Sequence, residues 1–112
     1  MSDITKVLNK LIASAHENSV VHGWWGPDSA DNDGEKIALM HSELSEALEY
    51  IRNGNPPSDH IPEFSGVEEE MADVIIRVFD YCGARGYNLP GALLAKMGYN
   101  ADCPIKHGGK KF

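Results

Sequence analysis

The chain has 112 residues, of which 42% are apolar and 24% charged, with a formal net charge of −7 and a pI near 5.1. This length accommodates one hydrophobic core and the composition is ordinary for a folded protein, so we expect a single domain over residues 1–112. The negative charge argues against a broad surface for a nucleic acid polymer, whereas cations are favoured partners.

Two features predict a cytoplasmic protein without membrane contact. Cys82 and Cys103 lack CxxC spacing, and MSDITKVLNK has polar residues where a secretory signal would have an apolar run. The segment MADVIIRVFDYCGA is interrupted by Asp73, Arg77 and Asp80, so it falls short of the roughly 20 apolar residues that a membrane span needs.

The first half of the chain predicts two helices. Apolar residues recur at helical spacing from Ile4 onwards, Ser2 or Asp3 can cap this helix, and we expect its end near Val20. The following HGWWGPDSADNDG is rich in turn-forming residues and predicts a loop. A second helix is expected over about 35–52, where NGNPP ends it. Its apolar stripe comprises Ile37, Met40, Leu44, Leu48 and Ile51.

The second half predicts two more helices and an irregular tail. One helix of about seventeen residues is expected to begin near Val67, and GARGYN interrupts it. Asn88 can cap the next helix, with Pro90 in its first turn. Its residues expected to face inward are Leu89, Leu93, Leu94 and Met97.

Four amphipathic helices predict an all-α, four-helix bundle-type protomer. The apolar faces of the second and third helices are wide for so small a bundle, which predicts burial against a second copy. We therefore expect a homodimer or a homotetramer built as a dimer of dimers.

Two acidic pairs carry the chemical signal of the sequence. Glu43 and Glu46 are three residues apart in HSELSEALEY, and Glu70 and Asp73 are three apart in EMAD. Such spacing places the two side chains of each pair on neighbouring turns of one helix face. If the second and third helices pack antiparallel, the carboxylates converge and repel one another unless a cation lies between them. Oxygen ligands favour Mg²⁺, with Mn²⁺ as a possible substitute.

Two other interpretations apply to these acids. Glu is a good helix former, and a single ExxE is more often a solvated helix face than a metal site. A di-iron bundle would need Glu-x-x-His pairs, and neither Glu43 nor Glu70 is followed by His three residues later. The sequence disfavours iron for that reason.

The segments SELSEALE and EEEMADVIIRV resemble the ExxE…ExxD signature of the MazG-like, all-α nucleoside triphosphate pyrophosphohydrolases. The similarity extends to HENSVVHGWW, IPEFSGVEEE, KMGYN and KHGGKK. The resemblance implies Mg²⁺-dependent hydrolysis of (deoxy)nucleoside triphosphates to nucleoside monophosphate and pyrophosphate, as house-cleaning of noncanonical or surplus nucleotides. It also implies that Glu43, Glu46, Glu70 and Asp73 are the metal-binding and catalytic residues of an oligomer with a dimeric core.

Cationic side chains near the end of the chain are candidates to meet the negative charge of the phosphates. They are Lys96, Lys106, His107 and Lys110, of which the last three lie in the basic tail. The alternative is a solubilising terminus. Members of the family often have an arginine before the proline of this tail, whereas this chain has Cys103 before Pro104, so no guanidinium is available there.

Aromatic and polar residues are candidates for contact with the base. Large aromatics in a loop either seal a core or stack on a flat ligand, and the resemblance favours Trp25 as the stacking residue and Trp24 as the inward one, with the reverse order open. Asn100 follows Lys96 by one turn and is a candidate for a hydrogen bond to base or sugar, or an exposed helix end.

Three further residues are expected near the site. His16 and His41 are more often packing or capping residues than ligands, and they are possible neighbours of the pocket. Arg77, one turn beyond Asp73, is expected to orient one of the motif carboxylates, or to form a surface ion pair with Asp73. The functional alternatives are a noncatalytic helical interaction module and a metal-binding or nucleotide-binding module that stores nucleotide without hydrolysing it.

Overall fold

The computed structural model describes residues 2–26 and 32–102, and this part of the chain is helical. The helices are α1 (Asp3–Val21), α2 (Asp33–Arg52), α3 (Gly66–Arg85) and α4 (Leu89–Ala101). Among these residues the β-type pairing is one isolated bridge, between Pro57 and Ser65. The predicted all-α fold is confirmed for the described residues.

Side-chain caps begin three of the helices: Ser2 and Asn88 were predicted, and Ser65 was not. Ser2 accepts a hydrogen bond from the Thr5 amide at the start of α1, and Asn88 accepts one from the Gly91 amide at the start of α4. Ser65 and Glu68 form a reciprocal capping box that begins α3. Gly86 ends α3 with a φ of 70°, a conformation that side chains with a Cβ disfavour.

The structure extends two helices beyond their expected bounds. Helix α2 begins at Asp33, two residues before the predicted start, and α3 has 20 residues because it continues to Arg85. Both extensions meet where Arg85 Nε donates to Asp33 Oδ1 at 2.7 Å. An ion pair between distant residues therefore accompanies the added residues, and no local pattern predicts it.

Helix α3 lies at the centre, with α1 and α2 packed on it and α4 in contact with α1. Helices α2 and α3 are antiparallel, since Arg85 pairs with Asp33 near the start of α2 and Arg77 pairs with Glu43 near its middle. At the end of α2 the ring of Tyr50 covers Gly66 so closely that a Cβ there would overlap it. This order aligns the two acidic pairs of the sequence.

The apolar interior of the described residues is small. The buried apolar side chains of the described residues include Ile12, Ala47 and Cys82. The predicted inward face of α4 is buried only in part: Leu89 is half-buried and lines a small cavity with Leu93, Ile12 and Phe79, whereas Leu94 is exposed and Met97 is 60% exposed. The predicted stripe of α2 is also largely exposed, including Ile37, Leu44, Leu48 and Ile51. Within the described residues α4 contacts mainly α1, so much of its apolar surface stays exposed.

Within the described segments, none of the helices has the length and apolarity required to cross a lipid bilayer.

Candidate metal centre

Helices α2 and α3 bring acidic residues from both sequence motifs together. Glu43 and Glu46 on α2 and Glu70 on α3 each offer a carboxylate oxygen, and these three atoms lie within 4.8 Å of one another. A second set, formed by Glu69, Glu70 and Asp73, meets the same distance. Glu70 belongs to both sets, so the four motif carboxylates form one continuous acidic strip with Glu70 at its centre.

Glu70 is the most deeply buried member of this strip, and Glu43 is buried as well. It is 4% exposed, and its Oε2 atom has no hydrogen-bond partner among the described residues. Burial raises the pKa of Glu70 to about 8, and the nearby carboxylates of Glu43 and Glu46 act in the same direction. A buried acceptor without a donor is unfavourable, so this oxygen favours either a proton or a cation.

The pKa of Glu43 is shifted in the opposite direction to that of Glu70. Burial alone would raise its pKa, but hydrogen bonding with Glu70 and Arg77 outweighs burial and leaves that pKa below its ordinary value. Arg77 Nε donates to Glu43 Oε1 at 2.9 Å. The expectation that Arg77 orients a motif carboxylate therefore has a geometric basis, with Glu43 across the helix interface as the partner in place of the neighbouring Asp73.

Asp73 lies at the other end of the strip and is half-buried. Burial raises its pKa, and the negative charges of Glu43 and Glu69 add to that effect. Two carboxyl groups with raised pKa values and one with a lowered pKa share this small region. Such divergence is typical of acids that share protons in the absence of a cation.

The donor set fits a hard divalent cation. All candidate ligands are carboxylate oxygens, the preferred ligands of Mg²⁺ and Mn²⁺. The unpartnered buried oxygen of Glu70 offers a position where a cation could replace a proton. Glu43, Glu46 and Glu70 are therefore the residues best placed to hold an ion, with Asp73 beside them.

A cavity of about 250 Å³ opens on one side of the acidic strip. The residues lining it are Trp24, Glu35, Lys36, Leu39, Arg77 and Asp80. Trp24 is 47% exposed, and the Arg77 guanidinium lies 5.5 Å from the centre of its ring. Because Arg77 also binds Glu43, it connects this cavity with the candidate metal ligands.

Trp25 faces inward, the reverse of the favoured order. Its indole N–H donates to Asp80 Oδ1 at 2.8 Å, and the Lys36 ammonium lies 4.2 Å from its ring centre. His16 packs edge-on against the Trp25 ring and contacts Asp80 Oδ1 through Nδ1 at 2.9 Å. The exposed Trp24 is consequently the tryptophan with a ring available to a flat ligand.

Asp80 is a central residue that the sequence analysis did not select. It is buried, and besides His16 and Trp25 it accepts a hydrogen bond from the Ser19 hydroxyl at 2.8 Å. Its carboxylate thereby anchors the tryptophan segment to α1 and α3. The signal in the sequence was an acid within the apolar run VIIRVFDYC, but its partners are 55 to 64 positions away.

A second group missed from the sequence lies in the connector between α2 and α3. The buried Ser58 donates to Glu69 Oε1 and accepts from the backbone amides of His60 and Ile61. His60 Nδ1 lies 2.7 Å from Glu69 Oε2, and this hydrogen bond raises the pKa of His60. Turn-forming residues predicted only a connector here, and no local signal indicated the contact with Glu69.

The remaining candidates lie away from the acidic strip or outside the described residues. Lys96 lies on α4, where its ammonium is 4.5 Å from the Tyr99 ring centre, and Asn100 is exposed on the same helix. His41 is exposed on α2, and its backbone carbonyl accepts from Ser45. The candidates of the tail, Lys106, His107 and Lys110, fall outside the described residues.

No protein-family model, curated protein or solved structure matches the chain.

Proposed function

We propose that this protein is a Mg²⁺-dependent nucleoside triphosphate pyrophosphohydrolase, as the resemblance to the MazG-like family implies. The observation that supports this proposal most strongly is the meeting of Glu43, Glu46 and Glu70 around an unpartnered buried oxygen. Both ExxE-type motifs contribute to that group, although they are separated by a turn-rich connector. Burying one carboxylate between two others is unfavourable unless a proton or a cation neutralises the charge, and a divalent cation would neutralise all three.

In the proposed reaction, water adds to the α-phosphorus and the bond to the bridging oxygen breaks, so that nucleoside monophosphate, pyrophosphate and a proton are produced. Mg²⁺, when bound, would neutralise phosphate charge and lower the pKa of a coordinated water. Glu43, Glu46, Glu70 and Asp73 serve to bind the ion, and Arg77 holds Glu43 in orientation. The protein mainly positions the reactants, as phosphoryl transfer requires.

The base is proposed to lie in the cavity beside Trp24. The exposed ring offers a stacking surface, and stacking tolerates every base. Arg77 lines this cavity and contacts Glu43, so a base held there has its phosphates directed along α2 and α3 towards the acids. Trp25 and Asp80 support the segment that carries Trp24, and Asp80 also lines the cavity.

A second copy of this chain is the proposed partner for the exposed apolar faces. Leu44, Leu48 and Ile51 on α2 and Met97 on α4 are exposed in one protomer, an unfavourable arrangement unless another surface covers them. A homodimer or homotetramer would bury them. In such an assembly Lys96 and Asn100 of one copy could lie beside the acidic strip of another. Sedimentation velocity tests this part, and a monomer at micromolar concentration would contradict it.

Metal binding and turnover are tested separately. Isothermal titration with Mn²⁺ is expected to give a site that Glu43→Gln and Glu70→Gln each weaken by about tenfold or more, since even residues outside the ligand set change metal affinity by that much. Glu17→Gln, an equal change of charge at an exposed residue of α1, is the matched control. Unchanged Mn²⁺ affinity in both site variants would refute the metal centre.

A panel of canonical and noncanonical (deoxy)nucleoside triphosphates, assayed with Mg²⁺ for pyrophosphate release, tests the reaction. Release of pyrophosphate together with nucleoside monophosphate is expected. Release of single phosphate would assign a different reaction. Absence of turnover on every nucleotide, with Mn²⁺ binding intact, would favour a noncatalytic metal-binding or nucleotide-binding module.

A further inference from the structure

A second cavity, of about 360 Å³, opens beside the acidic strip. Its lining residues are Glu46, Glu49, Tyr50, Asn53, His60 and Glu70. Along α2, Leu39 lines the Trp24 cavity, Glu43 and Glu46 belong to the candidate metal centre, and Asn53 lines the second cavity. The candidate ion site therefore lies between two cavities that follow one another along the groove between α2 and α3.

The second cavity contains one side chain that can carry a positive charge. Among its lining residues in the described segments, three are glutamates, and His60 alone can be cationic. The carboxylate of Glu49 already lies 3.7 Å from Arg52. An anionic group could enter beside Glu46 and Glu70 only when a divalent cation is bound to them, and His60 would then meet the anion from the other side.

The structure around His60 is built to orient its ring. Its side chain is 82% exposed, whereas that of its partner Glu69 is only 12% exposed. The buried Ser58 hydroxyl donates a hydrogen bond to Glu69 and accepts from the backbone amides of His60 and Ile61. The same side chain therefore fixes both the Glu69 carboxylate and the backbone of His60. Nδ1 of His60 contacts Glu69, and Nε2, on the other edge of the ring, makes no hydrogen bond to the described residues.

We propose that the second cavity binds the pyrophosphate portion of the nucleotide and that His60, positioned by Glu69 and Ser58, donates a hydrogen bond from Nε2 to its oxygens. This assignment rests on the proposed function. It places the base at Trp24, the α-phosphate at the acidic strip and the leaving group at His60. In its imidazolium form the ring has an N–H on both edges, so it can bind Glu69 and a phosphate oxygen together.

Inorganic pyrophosphate is the probe for this assignment. In the presence of Mg²⁺, His60→Ala is expected to weaken pyrophosphate binding by about tenfold to hundredfold, the effect of losing one hydrogen bond to a charged group. Binding of a nucleoside monophosphate is expected to change by less than about twofold, because that product does not reach the cavity. His22→Ala is the matched control, since His22 is another exposed histidine whose Nδ1 contacts an oxygen, that of Asn18.

Further measurements separate this role from a structural one. Because the His60 ring is exposed, His60→Ala is expected to fold. Unchanged Mn²⁺ affinity of this variant would show that the metal centre is intact. His60→Lys, which retains a cation, is expected to recover part of the lost pyrophosphate affinity. Equal weakening of both products, or pyrophosphate affinity equal to that of the wild type, would overturn the assignment.

The assay of pyrophosphate release from nucleoside triphosphates distinguishes the role of His60 from the function on which it rests. If the wild type releases pyrophosphate and His60→Ala does so with unchanged kcat and KM, only the role of His60 fails. If the wild type releases no pyrophosphate from any triphosphate, the proposed function fails and the assignment of the second cavity falls with it.

Discussion

Arg77 Nε donates to Glu43 Oε1 at 2.9 Å and so joins α3 to α2 within the candidate metal centre. The guanidinium also lies over the ring of Trp24. One side chain therefore connects the surface proposed for the base with a residue proposed for the ion. Its removal should affect the metal-free fold before any substrate is added.

Arg77→Met is expected to lower the free energy of unfolding of the metal-free protein by about 1–3 kcal/mol, because it leaves the Glu43 carboxylate buried without its donor. Urea denaturation in the presence of a chelator measures this change. Arg52→Met is the control, since both members of the Arg52–Glu49 pair are exposed and a change within about 0.5 kcal/mol is expected. Equal effects of the two substitutions would contradict the prediction.

The raised pKa of Glu70 predicts a pH dependence of the metal-free protein. Between the ordinary value of 4.5 and about 8, the folded protein retains a proton that the unfolded chain has released. By linkage, the contribution of Glu70 to the free energy of unfolding falls as pH rises through this interval and is constant above it. Denaturation of the wild type and Glu70→Gln from pH 5 to pH 8.5 measures the contribution, which the variant should lack.

The free energy of unfolding should depend on pH more steeply in the wild type than in Glu70→Gln. Saturating Mg²⁺ should remove most of this difference, because a cation at the same oxygens replaces the proton. Calorimetric titration at pH 7 in buffers of different ionisation enthalpy should accordingly detect proton release upon Mn²⁺ binding. If the free energy of unfolding has the same pH dependence in the metal-free wild type and in metal-free Glu70→Gln, the Glu70 carboxyl does not titrate as expected.

Asp80→Ala is expected to destabilise the protein by about 3 kcal/mol, since the Ser19 hydroxyl and the Trp25 indole would lose their acceptor. In a Trp24→Phe background, the emission of Trp25 should shift to longer wavelength as its ring becomes solvated. Asp102→Ala, at an exposed position after α4, is the control and should leave emission unchanged. An unshifted spectrum for Asp80→Ala would indicate that this carboxylate does not hold the tryptophan segment.

Gly66→Ala is expected to reduce stability by about 1–3 kcal/mol, because its new methyl group would overlap the ring of Tyr50. In a Tyr50→Ala background the same substitution should have little effect, so a double-mutant cycle isolates the contact. Gly98→Ala is the control: that position in α4 has open space around it, and a gain of about 0.5–1 kcal/mol is expected. Equal losses from Gly66→Ala in both backgrounds would disprove the contact.

The amino-acid sequence determined the helices, because the signals that begin and end them are local. Ser2 and Asn88 cap the helices that their positions predicted, and the segments NGNPP and GARGYN end α2 and α3 as expected. The spacing of the acidic pairs also predicted that each would lie on one helix face. Caps, breaks and i,i+3 spacing involve atoms within one or two turns, so a single stretch of sequence contains all the relevant information.

Only the tertiary structure decided which of these side chains meet. It paired Arg77 with Glu43, left Leu93, Leu94 and Met97 exposed, and bound Trp25 to Asp80. It also brought His60 onto Glu69 beside the acidic strip. Each of these outcomes depends on how helices pack and how loops close across long separations in sequence, and periodicity along one helix has no information about the partner that another helix presents.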